Sequence, residues 1–193
     1  MLLRDGSPND VAVHFVREGV AGIEQITWSD LRERTRIARN AMITYGVKEG
    51  EKVAAVISNS VNAIVICLAT LSIGAIWSSA SCDLGAKAIV DRYGQIEPRL
   101  VFADNAYVYA GKTHKLESSI VQWSRELKKK SLGLFDVVIL PYCDVAVEIS
   151  KITRGITWDT FVERKSEEQL GFNHVPFSHP GFILFSSGTV GRS

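Results

Sequence analysis

"VAAVISNSVNAIVICLATLSIGAIWSSA", residues 53–80, decides the fold. It opens with an unbroken apolar run, Val53 to Ile57, as expected of a central parallel strand covered on both faces. Asn59 and Ser60 then open a helix from Val61 to Ile73, Gly74 punctuates it, and Ala75 to Ser78 reads as the next strand. The segment Val61 to Ala80 also invites comparison with a membrane span, which takes about 20 strongly apolar residues. It carries no charge, but Asn62, Thr70, Ser72, Gly74, Ser78 and Ser79 interrupt it. A buried helix followed by a buried strand fits it better.

The same alternation extends in both directions. Upstream, Val11 to Val16 alternates as a strand, and a second extended piece ends at Ile26-Thr27. Thr27-Trp28-Ser29-Asp30 has the form of a capping box. Leu31, Ile37, Ala38, Ala41, Met42 and Tyr45 then mark one helical face, and Gly46 stops that helix. Downstream come a helix over Ala86 to Ile96 ended by Pro98, a strand over Leu100 to Ala103 and a helix over Ser118 to Lys130. The three lysines that close that helix complement its dipole. A strand over Asp136 to Leu140 follows, then a short helix from Thr157-Trp158 to about Arg164. A polar surface connection, Lys165 to Pro180, leads to a last strand over Gly181 to Phe185. Strands alternating with helices predict an α/β class with a mostly parallel sheet flanked by helices.

Composition narrows the function. The chain has 193 residues, 46% hydrophobic and 22% charged, enough for one domain with a sizeable core. Its 22 basic and 21 acidic residues leave a net charge of +1, which removes the main argument for nucleic-acid binding. Cys67, Cys82 and Cys143 lie far apart without a CxxC pair, so free thiols in a reducing compartment are expected. The start, MLLRDGSPND, lacks the apolar core of a signal peptide. A cytoplasmic (cytosolic) location is the expectation. His14, His114, His174 and His179 have no metal-ligand spacing.

The chain closes on "FILFSSGTVGRS", residues 182–193. A glycine-rich loop leaving a buried strand at its carboxyl end sits where open α/β sheets bind ligands. Its glycines let backbone amides converge on an anion, and its hydroxyls add donors. A phosphate chain suits such a loop; on composition alone so does a tight surface turn. A P-loop is disfavoured, because Ser186 stands at its first glycine and Arg192 at its lysine.

The stretch "FSHPGFILFSSGTVGRS" resembles the ATP-binding signature of the adenylate-forming acyl-CoA synthetases, and within them the acetoacetate-activating members. "ITWSDLRERTRIARNAM", "GVKEGEKVAAVISNSVNAIVICLATLSIGAIWSS", "DRYGQIEPRLVFA" and "VYAGKTH" agree with it, so the likeness runs nearly end to end. The resemblance implies an acetoacetate–CoA ligase: acetoacetate and ATP give an acyl-adenylate and pyrophosphate, and CoA then displaces AMP. Ser186, Ser187, Gly188, Thr189 and Gly191 would hold the ATP phosphates, with Mg²⁺ bridging them. No protein nucleophile is implied, because the substrate carboxylate attacks phosphorus itself. Val190 departs from the family's threonine there.

In that family the adenine pocket, the ribose-binding aspartate, the magnesium-binding glutamate and the C-terminal lid lysine follow this point. The resemblance therefore implies that residues 1–193 are a partial N-terminal AMP-binding domain without the lid, and no acyl-adenylate is expected from them alone. The alternatives are a catalytically dead remnant serving as a binding module, or a fragment of an acetyl- or propionyl-type synthetase. Small molecules (acetoacetate, ATP, CoA) are the expected partners, with no nucleic acid and no membrane span. In related synthetases the loop matching Ser79 to Gly85 approaches the pantetheine arm of CoA. Cys82 and Asp83 would line that channel, although Asp83 reads more readily as a helix cap. Cys67 reads as a core residue, Trp28, Trp77, Trp123 and Trp158 as packing anchors, and His179 as packing beneath the terminal loop.

Overall fold

The computed structural model describes residues 3, 6–130, 136–164 and 166–186. Its centre is a parallel sheet of β3 (Lys52–Val56), β4 (Ile76–Ala80), β5 (Leu100–Asp104), β8 (Asp136–Leu140) and β9 (Gly155–Thr157). The strand order is β4-β3-β5-β8-β9, with every neighbour parallel. The continuous apolar runs have the expected cause: alternate residues feed separate cores on the two faces. Val53, Ala55, Leu100, Phe102, Val138 and Leu140 pack with α1 (Trp28–Thr44), α2 (Val61–Ser72) and α5 (Trp158–Glu163). Ala54, Val56, Val101, Ala103, Val137 and Ile139 pack with α3 (Ala86–Ile96) and α4 (Glu117–Lys130).

Local chemistry sets the helix ends. The Thr27 hydroxyl accepts from the Asp30 amide at 3.1 Å and Asp30 accepts from the Thr27 amide at 3.4 Å, the expected capping box. Ser60 caps α2, accepting from the Ala63 amide at 3.3 Å. Two antiparallel hairpins flank the sheet: β1 (Val11–Phe15) with β2 (Glu24–Thr27), and β6 (Ala106–Tyr109) with β7 (Lys112–Lys115). The sequence pattern anticipated the first and missed the second, as well as β9. Among the described residues no helix is long and apolar enough to cross a membrane, and α2, which takes up the most apolar segment, has 12 residues.

Residues 166–180 form a strap across the α1–α2 layer. Buried Asn40 donates to the carbonyls of Ser166 and Glu168, at 3.0 and 2.7 Å. Asn173 then covers the end of α2, its amide donating to Ser72 O at 2.9 Å and its Nδ2 to Ile73 O at 2.7 Å. His179 Nε2 lies 2.7 Å from Gly74 O, so the ring donates to a third carbonyl there. These partners satisfy carbonyls that a helix end leaves open. The strap delivers the chain to β4, where Trp77 N donates to Gly181 O and Ile183 N to Trp77 O, both at 2.9 Å. The expected last strand over Gly181 to Phe185 reduces to one parallel bridge, Trp77 with Phe182. Its apolar residues alternate outward, with Phe182 53% and Leu184 81% exposed, so only one residue pairs.

Gly74 is held at φ +77, and a Cβ there would lie 3.0 Å from Val175 Cγ1 and 3.1 Å from Glu49 Cγ. Gly74→Ala should therefore cost about 1–3 kcal/mol through backbone strain and crowding of the strap. A thermal melt checks this, and an unchanged midpoint would contradict the placement of the strap.

Candidate functional site

The carboxyl ends of the parallel strands converge on Asp104 and Asn105. Asp104 ends β5 fully buried, because its backbone continues the buried run Leu100 to Ala103. Its Oδ2 accepts from the Ser58 amide at 2.8 Å, in the β3–α2 loop. Cys82, in the β4–α3 loop, places Sγ 3.8 Å from the same oxygen and 3.5 Å from Ser58 Oγ. Among the described residues Oδ1 is buried without a hydrogen-bond partner. Asn105 ties down the loop after β8: Nδ2 donates to Cys143 O at 2.7 Å and Val145 O at 2.8 Å, and Oδ1 accepts from the Cys143 amide at 3.0 Å. One dipeptide thus organises three loops.

Above this floor lies a cavity of about 620 Å³, within the size range of small-molecule sites. Ser58, Cys82, Asp83, Tyr107, Tyr109 and Tyr142 are among its walls. Its rim is braced by Glu18, which accepts from the Gly111 amide, and by Arg17, which donates to Tyr142 O with its guanidinium 5.2 Å from that ring. The Gly111 turn of the β6–β7 hairpin uses left-handed backbone at Ala110 and Gly111, φ 51 and 73. The signal for this hairpin was the alternating Tyr107-Val108-Tyr109 before Ala110-Gly111.

Burial pushes the Cys82 thiol up to about 12, and the Asp104 carboxyl beside it adds to this, so Cys82 is not a nucleophile near neutrality. Burial likewise raises Asp104 to about 6, against the Ser58 and Cys82 hydrogen bonds that favour its ionised form. Cys82 and Asp83 both line the cavity. The expected cap is corrected: Gly85 is the N-cap of α3, with no side-chain bond, and Asp83 lies exposed two residues before it. Cys67 is corrected too. It is half-buried rather than core, and lines a groove beside Trp77 and Leu68 that flanks the edge strand β4.

The phosphate-loop candidates divide. Parallel pairing at Phe182 carries the chain toward the carboxyl edge of β4, and Arg92 of α3 sits 5.7 Å from the Phe185 ring. Ser186 follows, exposed, while Ser187, Gly188, Thr189 and Gly191 lie outside the described residues. His179 bonds Gly74 O, and the loop it was expected to pack beneath lies outside the described residues. Among the described residues no cluster of three or more His, Cys, Asp or Glu could hold a metal.

A parallel sheet with its loops gathered over a cavity at the carboxyl edge defines a ligand-binding α/β protein. The AMP-binding enzyme family model matches residues 4–193, and the chain belongs to that family. It is 40% identical over 199 residues to an acetoacetyl-CoA synthetase of Macaca fascicularis, covering 98% of this chain and 28% of the relative. A malonamoyl-CoA synthetase of Penicillium aethiopicum is 38% identical over 191 residues, covering 96% and 26%. The solved acetoacetyl-CoA synthetase from Streptomyces lividans superposes with a TM-score of 0.85 at 30% identity, over 98% of this chain and 28% of that one. The chain thus spans about 28% of the length of the first two synthetases named alike.

Proposed function

We propose that these residues form the phosphate-facing and thiol-facing part of an ATP-dependent acid–thiol ligase acting on acetoacetate. The observation that carries this reading is the 40% identity over 98% of the chain to an acetoacetyl-CoA synthetase. Geometry supports it, since the segment ending in Ser186 runs along β4 toward the same edge as the cavity. The 190–193 stretch and the four loop residues before it supply what a triphosphate needs: amides free of side-chain obstruction at Gly188 and Gly191, and hydroxyls at Ser186, Ser187 and Thr189. Mg²⁺ would offset the charge on those phosphates.

The cavity suits the pantetheine arm of CoA. Ser58, Asn59 and Ser81 offer polar partners for amides, while Val16, Val108 and the tyrosine faces cover the methylenes. Cys82, held as a thiol, lines the path without competing with the CoA sulfur as nucleophile. Acetoacetate and a malonamoyl group share a carbonyl three carbons into a short acid. We take that 3-oxo carboxylate as the substrate class. On this reading the loop orients ATP while the carboxylate does the attacking.

Tripolyphosphate, titrated calorimetrically onto the protein, tests the loop. Gly188→Val should weaken binding by on the order of a hundredfold, because a branched side chain takes the place of a phosphate oxygen. Equal affinity would remove the loop from the reaction. Release of pyrophosphate from ATP that depends on acetoacetate, but not on acetate, checks the ligase assignment.

A further inference from the structure

Asp104 and Asn105 are neighbours with the same task and one difference. Asn105 fixes the loop after β8 with an amide that never changes charge. Asp104 fixes the β3–α2 and β4–α3 loops with a carboxyl that can. Its surroundings favour the neutral form. The groups that face it are Ser58 from the first loop, Cys82 with Asp83 behind it from the second, and Tyr142 and Cys143 after β8. Arg17, the cation beside Tyr142, donates to Tyr142 O. Among the described residues Oδ1 has no donor to hold a charge.

We propose that Asp104 is a proton-controlled positioning residue: its neutral carboxyl clasps the two loops over the cavity floor, and its ionisation there, with Oδ1 buried and unpaired among the described residues, favours the opening that lets water reach it. An opening that admits water to the carboxyl returns it to ordinary solvation, so the open form binds the proton less tightly than the closed form. Raising the pH therefore favours opening. Burial sets the working range, since it brings the folded carboxyl up to about 6 from the ordinary 3.8. Ser58 and Cys82 are both wall residues of the cavity, so their release alters its floor directly. The device does not depend on what occupies the cavity.

Amide hydrogen exchange of the ligand-free protein reads this out at Ser58, whose N–H is the group clasped. With ordinary base catalysis divided out, Ser58 exchange should rise by roughly tenfold between pH 5 and pH 7. It should also run faster than exchange at Phe102, in the middle of β5, at every pH. In Asp104→Asn the excess rise should vanish, while the Asn carbonyl still accepts from Ser58. Should that variant fail to fold, the ¹³C signal of the Asp104 carboxyl in the unaltered protein must show a midpoint near 6 that coincides with the Ser58 rise. A flat Ser58 profile, an equal rise in Asp104→Asn, exchange at Ser58 no faster than at Phe102, or a carboxyl already ionised at pH 5 would each overturn the proposal.

Discussion

Phe102→Ala should lower unfolding free energy by about 3–5 kcal/mol, a large part of the roughly 5–15 kcal/mol of a typical domain. Phe102 sits in the central strand β5 with no exposed surface. Its ring meets Phe161 edge-on, centroids 5.4 Å apart at 85°, and lies 6.5 Å from Trp158. β5 is hydrogen-bonded on both sides, to β3 and β8, so the backbone cannot collapse into the space that the ring leaves. The lost transfer energy and the residual cavity therefore add. Urea unfolding measures the change, and a midpoint within error of the parent would mean that α5 is not seated on the sheet as described.

Raising the pH from 4 to 8 should cost about 2 kcal/mol through Asp104 alone. The sign follows from the direction of the shift. Burial raises the folded carboxyl to about 6 from the ordinary 3.8. The folded state then holds a proton that the unfolded state has released. The stabilisation is complete below about pH 4 and is lost as the pH rises through 6. Exposed pairs work in the opposite sense: Lys87 holds Asp91 below the carboxylate range, and Lys129 does the same for Glu126, but both are solvent-screened. Urea melts at several pH values should show stability falling across pH 6, and Asp104→Asn should remove that slope. A slope that survives in the variant would assign it to another group.

The sheet was legible because its strands are covered on both faces. Asp136–Leu140 and Ala86–Ile96 came out at the bounds expected, since a buried strand and an amphipathic helix each write their period plainly. The β6–β7 hairpin and β9 did not, for they are short and half-exposed, and alternation over three or four residues is indistinct. The last strand was overcalled, since Phe182 and Leu184 look like core residues in sequence and lie exposed in space. At the site, Cys82 and Asp83 could be placed by the loop they occupy. Asp104 and Asn105 were missed, although an acid directly continuing the buried run Leu100 to Ala103 was a readable sign. What no single stretch encodes is that Ser58, Cys82 and Cys143 meet around that dipeptide, because the meeting is made by parallel register.

The strap from 166 to 180 has a mechanical meaning. Among the described residues, Gly181 and Ile183 bond the sheet at Trp77, while Asn173 is clamped to Ser72 and Ile73 at the end of α2 and His179 to Gly74 just beyond it. The segment from Gly181 to Phe185 thus takes its seat from a helix as well as from the sheet. Whatever unwinds the final turn of α2 will loosen that segment, even with every strand of the sheet still in place.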